Sequence, residues 1–159
     1  MQVTKLQSLG HGPHGRLKTS RLLQIQASYM HDNFFDELLE QRDFSLIMEA
    51  VGENAQYLDG DNRNGTKIPI VYVAEQFDLE LVRLLIELGA DVNAADCRGQ
   101  TAPHRASIGD SLEVAACLID NRADLELIDR SGYTPLMWAS CGGDKRLLSF
   151  YESQARNTT

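Results

Sequence analysis

Apolar residues over the second half of the chain recur at the spacing of helices, not of strands. Leu81, Val82, Leu85 and Ile86 form one stripe on a helix of about 3.6 residues per turn, and Val114, Leu118 and Ile119 form a second. Each stripe needs a neighbour to cover it. Upstream, Asp32 and Asn33 can cap a helix carrying Phe34, Phe35, Leu38 and Leu39 on one side. Asp43 can start another with Phe44, Ile47, Met48 and Val51 at helical spacing, ended by Gly52. Asp59-Gly60 and Asn64-Gly65 mark turns. Pro69 and Pro135 suit a first helical turn, where the missing N–H has no intrahelical partner, and Thr101 and Thr134 are placed as caps. Near the end, Lys145 and Arg146 open a helix finished by Leu147, Leu148, Phe150 and Tyr151. The pattern predicts an all-α chain with helix pairs near residues 33–51, 69–88, 102–121 and 135–152.

The pairs repeat. Gly89-Ala90-Asp91 recurs as Arg122-Ala123-Asp124, Leu85-Ile86 as Leu118-Ile119, and Asp96 as Asp129, each 33 positions on. Gly132-Tyr133-Thr134-Pro135-Leu136-Met137-Trp138-Ala139 has a counterpart in Gly99-Gln100-Thr101-Ala102-Pro103-His104-Arg105-Ala106 and a weaker one in Ile68-Pro69-Ile70-Val71-Tyr72-Val73-Ala74. These segments resemble the ankyrin repeat, a unit of about 33 residues with a β-turn, two antiparallel helices and a Thr-Pro-Leu-His-x-Ala signature. Met137 stands where the family has His, and Ala102-Pro103 where it has Pro-Leu. Leu79 to Ala94 matches well, and the resemblance spans roughly residues 63–151. Gly89 supplies the left-handed position that stops a helix; Arg122, its counterpart, must accept strain or end its helix differently.

The resemblance implies an ankyrin-repeat solenoid of about three regular repeats over residues 63–153, preceded by a degenerate helix pair at 30–62 and followed by a tail at 154–159. A polar last helix is expected to cap the array. Residues 1–29, interrupted by Gly10, Gly12, Pro13 and Gly15, fall outside the pattern. They read as a flexible extension or an upstream addition before a start at Met30. A basic segment free of acids, with Arg16, Ser20 and Arg21, also suits organelle targeting.

Charge narrows the partners. The chain carries a formal −8, but Lys5, Arg16, Lys18 and Arg21 stand without an acid in residues 1–31, which leaves −12 on residues 32–159. Such a body repels phosphate backbones, so nucleic acid is not expected, and a basic protein partner is favoured. No run approaches the roughly 20 apolar residues of a membrane-spanning helix. Cys97, Cys117 and Cys141 are odd in number and fit no disulfide or paired-cysteine metal pattern. They are expected as reduced thiols in a monomer in the cytoplasm, or in a host cytoplasm for a secreted effector.

Candidate chemistry is sparse. His11 and His14 would be two metal ligands where three or four are needed. Residues 59–65 are acidic but place Arg63 at a ligand position, and Ile70 stands where a calcium loop closes with Glu. His104 matches the family's structural histidine, and no nucleophile or acid accompanies it. Asn93 resembles asparagines that are hydroxylated in this family, though ordering its own turn explains it as well. No cofactor or catalysis is expected.

The resemblance implies a protein-binding surface on the turn tips and first helices. Carried across by position, its contacts are Lys67 and Gln76, then Arg98, Gln100 and Ile108, then Arg130, Tyr133 and Trp138. Tyr133 and Trp138 stand out because large aromatics dominate interface energetics, with core packing the competing reading for Trp138. Two alternatives remain: an inhibitor or immunity protein that neutralises a basic toxin or enzyme, and a regulatory fragment of a multidomain or effector protein.

Overall fold

A computed structural model describes residues 34–59 and 68–157. The extension at 1–29, the two histidines within it, the Asp32-Asn33 cap, most of the 59–65 turn and Lys67 lie outside the described residues. Helices α1 (Phe34–Gln41) and α2 (Phe44–Glu53) are followed by a short 3-10 turn at Ala55–Leu58. Three further pairs then run α3 (Pro69–Glu75) and α4 (Leu79–Glu87), α5 (Ala102–Ile108) and α6 (Leu112–Asp120), α7 (Pro135–Gly142) and α8 (Lys145–Asn157). First helices begin at 69, 102 and 135 and second helices at 79, 112 and 145, so the 33-residue period of the sequence is the period of the backbone.

Stacking follows from the apolar stripes. The first helices pack on one another, α3 on α5 on α7, and the second helices form a parallel layer, α4 on α6 on α8. Leu81, Val82 and Leu85 of α4 and Val114 and Leu118 of α6 are buried as the pattern predicts. Helix α5 has a neighbour on both sides, and Ala102 to Ser107 are all buried. Full burial of a Val or Leu side chain such as those of α4 and α6 stabilises by roughly 1.5–3 kcal/mol, so a single repeat without its neighbours could not hold its shape alone. The last layer is tied in by Tyr151, whose buried hydroxyl meets Ser107 Oγ at 2.9 Å. Burial pushes that phenol up to about 12 against the pull of Ser107. Among the described residues no further first helix stacks on the outer side of α7, and Met137, at the register position of buried His104, is 48% exposed.

Each pair turns in the same way. Arg42, Phe77, Asp110 and Gly143 take left-handed backbone with φ of 54°, 58°, 56° and 89°. The next residue caps the second helix: Asp43 accepts the Leu46 N–H, Asp78 that of Leu81, Ser111 that of Val114 and Asp144 that of Arg146. This cap after a left-handed residue reverses the chain within two or three residues. The turns also nest. A Cβ on Gly109 would collide with the Phe77 ring, and one on Gly142 would lie 2.8 Å from Asp110 Oδ1.

One expectation is corrected, and of the two alternatives at Arg122 the strained one holds. Gly52 lies inside the last turn of α2, which stops at Asn54 because that residue turns extended, with φ −150° and ψ 102°, while its side chain accepts the Gln56 N–H and caps the 3-10 turn. Arg122 does adopt the left-handed conformation of Gly89, with φ of 67° against 96°. Its N–H still reaches the Ile119 carbonyl at 2.9 Å, so the helix stop is made at the expense of steric strain.

That strain predicts opposite outcomes at the two equivalent positions. Arg122→Gly should stabilise the fold and Gly89→Ala destabilise it, each by about 1 kcal/mol in denaturant unfolding. No heavy atom lies within 4 Å of the Cβ position at Gly89, so backbone strain is the cause under test.

Candidate functional site

Between the helix pairs the chain makes a tight turn, and two of these are built on an aspartate. Asp96 Oδ1 accepts the N–H groups of Arg98 and Gln100 at 2.8 and 2.9 Å, and a main-chain bond from Asp96 N–H to Gln100 O closes the turn. Asp129 repeats the arrangement with Ser131 and Tyr133 at 2.8 and 3.1 Å. The positive φ of Gly99 and Gly132 at the tips is what lets the turns close. Neighbouring tips are joined by Arg130 N–H to Arg98 O at 2.9 Å and by Asp124 N–H to Asn93 Oδ1 at 2.8 Å. The Asn93 side chain therefore reaches across to the next repeat, a wider structural role than ordering its own turn.

The second carboxylate oxygen of each aspartate holds a side chain of the following helix. Asp96 Oδ2 takes Arg105 Nη2 at 2.9 Å, and Glu75 takes Arg105 Nη1 at 3.2 Å. At the equivalent place Asp129 Oδ2 accepts Trp138 Nε1 at 3.0 Å and Gln100 Nε2 at 3.2 Å. Guanidinium and indole are thus alternative donors to one conserved geometry within the chain. Burial alone would push the Asp129 carboxyl up, but the Tyr133 N–H, the Gln100 amide, the Trp138 indole and the Ser131 N–H outweigh it and hold the group at about 2. Asp96 is likewise lowered, its donors overcoming burial.

His104 locks the repeat below. The backbone N–H of Thr101 donates to its Nδ1 at 3.1 Å, so Nδ1 is the acceptor and Nε2–H donates to the Tyr133 carbonyl at 3.0 Å in the next repeat. Burial pulls this imidazole below its ordinary value of 6.5, against the Tyr133 carbonyl and the Asp129 and Asp96 carboxylates, which pull it up. The neutral ring is the native form.

Most of the expected contact residues are thereby placed. Arg98 and Arg130 project from adjacent tips and are exposed. Tyr133 is 41% exposed, with its ring tilted against that of half-buried Trp138 at a centroid distance of 5.4 Å. Trp138 is therefore both a packed residue and part of the surface. Ile108 and Gln76 are exposed at the far ends of their helices, away from the tips. Gln76 lines a cleft of about 260 Å³ with Leu39, Arg42, Tyr72 and Asp78, where Arg42 pairs with Asp78 at 2.7 Å. Gln100 differs from expectation. Its side chain is buried because its amide donates to Asp129, so it braces the tips and offers little to a partner.

Sequence reasoning passed over Arg105 and the two aspartates as structural agents. The recurrence of Asp at 96 and 129 was the available signal; the swap of Arg105 for Trp138 at one register position hid what they share. Among the described residues no group of three or more His, Cys, Asp or Glu could hold a metal, and no helix is long and apolar enough to cross a membrane. The three cysteines are free, Cys117 buried and Cys97 and Cys141 exposed.

A stack of 33-residue helix pairs with aspartate-braced tips defines a helical-repeat protein. Residues 70–153 match the family described as ankyrin repeats, in three copies, and the chain belongs to that family. It is 41% identical over 69 residues to human Ankyrin repeat domain-containing protein 63, covering 43% of this chain and 18% of that protein. Serine/threonine-protein kinase 12 of Arabidopsis thaliana is 33% identical over 87 residues, 55% of this chain and 18% of the kinase. Potassium channel AKT1 of Oryza sativa subsp. japonica is 33% identical over 84 residues, 53% of this chain and 9% of the channel. This chain spans less than a fifth of each of these relatives.

The buried polar pairs predict a two-stage acid response. A folded pKa below the unfolded one means that the unfolded chain binds the proton first, so stability from His104 is complete above 6.5 and falls as pH drops through that value. Stability from Asp129 is complete above 3.8 and is lost as pH falls toward about 2. Denaturant midpoints of wild type and His104→Asn should therefore converge as pH falls below 6.5. A gap independent of pH in that range would contradict the neutral, buried assignment.

Proposed function

We propose that the chain is a non-catalytic protein-binding module that holds a protein partner on the face made by its turn tips and first helices. Ankyrin repeats are generally protein–protein interaction modules. The observation that carries the reading to this face is the Tyr133–Trp138 pair. An exposed aromatic ring rests on a second ring, which a buried carboxylate fixes by a 3.0 Å bond. Such a pair offers broad apolar area with little side-chain freedom left to lose on binding. Arg98 and Arg130 border it, and Ile108 and Gln76 extend the face along the helices; Lys67 is proposed for it from the sequence repeat alone. Free thiols on the surface at Cys97 and Cys141 favour work in a reducing, cytosol-like compartment.

A second reading rests on charge. Residues 32–159 carry −12, and exposed Glu80, Glu87, Glu113 and Asp120 ride on the second helices. A basic protein, including a toxin or enzyme under inhibition, would be steered to that outer layer. The much greater length of the relatives also suits a regulatory segment of a larger protein.

Affinity purification of the intact chain with mass spectrometry would supply the partner. Tyr133→Ala and Trp138→Ala should then speed dissociation at least about tenfold and change association less, because short-range contacts act on the off-rate. The Trp138 variant counts only where its denaturant midpoint equals that of wild type. Wild-type affinity in both folded variants would place the site elsewhere, and binding that weakens with salt but ignores both variants would favour the outer layer.

A further inference from the structure

The left-handed residue that reverses one helix pair lays its side chain over the turn of the next pair. The Phe77 ring lies over Gly109 and the Asp110 carboxylate over Gly142, because neither glycine has a Cβ to displace it. Gln76 stands 33 positions before Gly109 and carries a full side chain at the same point of its own turn. Arg42, the left-handed residue of the first pair, reaches Asp78 instead, with Nη2 and Nε at 3.0 and 2.7 Å from the carboxylate oxygens. Beside Gln76 this leaves the cleft of about 260 Å³. Its depth is apolar, made by buried Leu39, Val73 and Leu81. Its border is apolar as well. Phe77, between the lining residues Gln76 and Asp78, is 47% exposed, and Ile108, next to the Gly109 under that ring, is 43% exposed. Phe44 is 36% exposed, its ring 5.9 Å from the Arg42 guanidinium.

We infer that the cleft seats one large apolar side chain from an amphipathic helix of a protein partner, and that this helix continues over Phe77 to Ile108. The inference rests on the reading of the chain as a protein-binding module and adds a contact at the far ends of the first helices, apart from the Tyr133–Trp138 pair. A volume of about 260 Å³ is below the roughly 300–1,000 Å³ of pockets that enclose a whole small molecule, so one side chain is the fitting occupant. A charged head would have to compete with the Arg42–Asp78 pair, and Leu39, Val73 and Leu81 cannot solvate it. Exposed apolar side chains gathered around a concave site mark a protein contact, and the row from cleft to Phe77 to Ile108 crosses from α3 to α5. Packed helices lie about 8–10 Å apart. A partner helix repeats one face over about 10 Å between positions i and i+7, with i+3 and i+4 between them, so it meets cleft, Phe77 and Ile108 in turn.

The test is selection on the intact chain from two phage libraries, one of Ala-rich helical peptides randomised at i, i+3, i+4 and i+7, the other of unstructured peptides. Helical peptides with Leu, Met, Phe or Trp at the randomised positions are expected to be enriched. Resynthesised, they should bind about tenfold more weakly or worse to Gln76→Trp, which plugs the cleft from an exposed position, and to Ile108→Glu, while Tyr133→Ala binds them as wild type does. Variants are compared at matched denaturant midpoints. Independently of any variant, the bound peptide should slow amide exchange of the wild-type chain at residues 42–44 and 76–78. Slowing at the tips, with binding lost in Tyr133→Ala and kept in Gln76→Trp, would overturn the inference and leave the tip reading standing. Enrichment confined to unstructured peptides or to charged anchors weakened by salt, or no enrichment from either library, would overturn it as well.

Discussion

Much of this structure hangs on one buried carboxylate. Asp129 gathers two N–H groups of its own turn, the amide of Gln100 from the preceding repeat and the indole of Trp138 from the following helix. A buried anion is costly unless its lone pairs are filled, and here they are filled by groups from three separate segments. Satisfying the charge therefore assembles the tip, joins two repeats and orients an aromatic ring in a single step. Asp96 builds its own tip in the same way one repeat earlier and holds Arg105 with its second oxygen.

Beneath the tips, the apolar layers supply most of the stabilisation and the polar groups supply register. Leucine stripes such as those of α4 and α6 would tolerate sliding, because apolar contact has no direction. His104 does not tolerate it: one nitrogen accepts from Thr101 in its own repeat and the other donates to Tyr133 in the next. The same residue that fixes the stack thus fixes the backbone of Tyr133, the exposed aromatic of the proposed binding face. Fold and site are linked through the Tyr133 carbonyl.

The helices, their period and the capping threonines were legible in the sequence because each depends on local chemistry repeated at a fixed interval. Pro69, Thr101, Thr134 and Pro135 mark helix starts whatever surrounds them. The left-handed turn inside each pair was harder to see, since Arg42, Phe77, Asp110 and Gly143 share no side-chain type. Its trace was the cap that follows, at Asp43, Asp78, Ser111 and Asp144. At the candidate site, exposure of Arg98, Arg130 and Tyr133 followed from their place at the turns. Gln100 shares that place and is buried, because a carboxylate 29 residues away takes its amide, and no local pattern contains that distance. Arg105 escaped notice for the same reason, its partners being Glu75 and Asp96.

The central claim is that Asp129 holds tip, stack and aromatic pair as one unit, and amide hydrogen exchange on Asp129→Ala tests it most directly. The account predicts loss of protection at the Ser131, Gly132 and Tyr133 N–H groups and at Arg130, whose N–H bonds the neighbouring tip, while α3 and α4 keep theirs. Protection at those tip amides unchanged from wild type would contradict it.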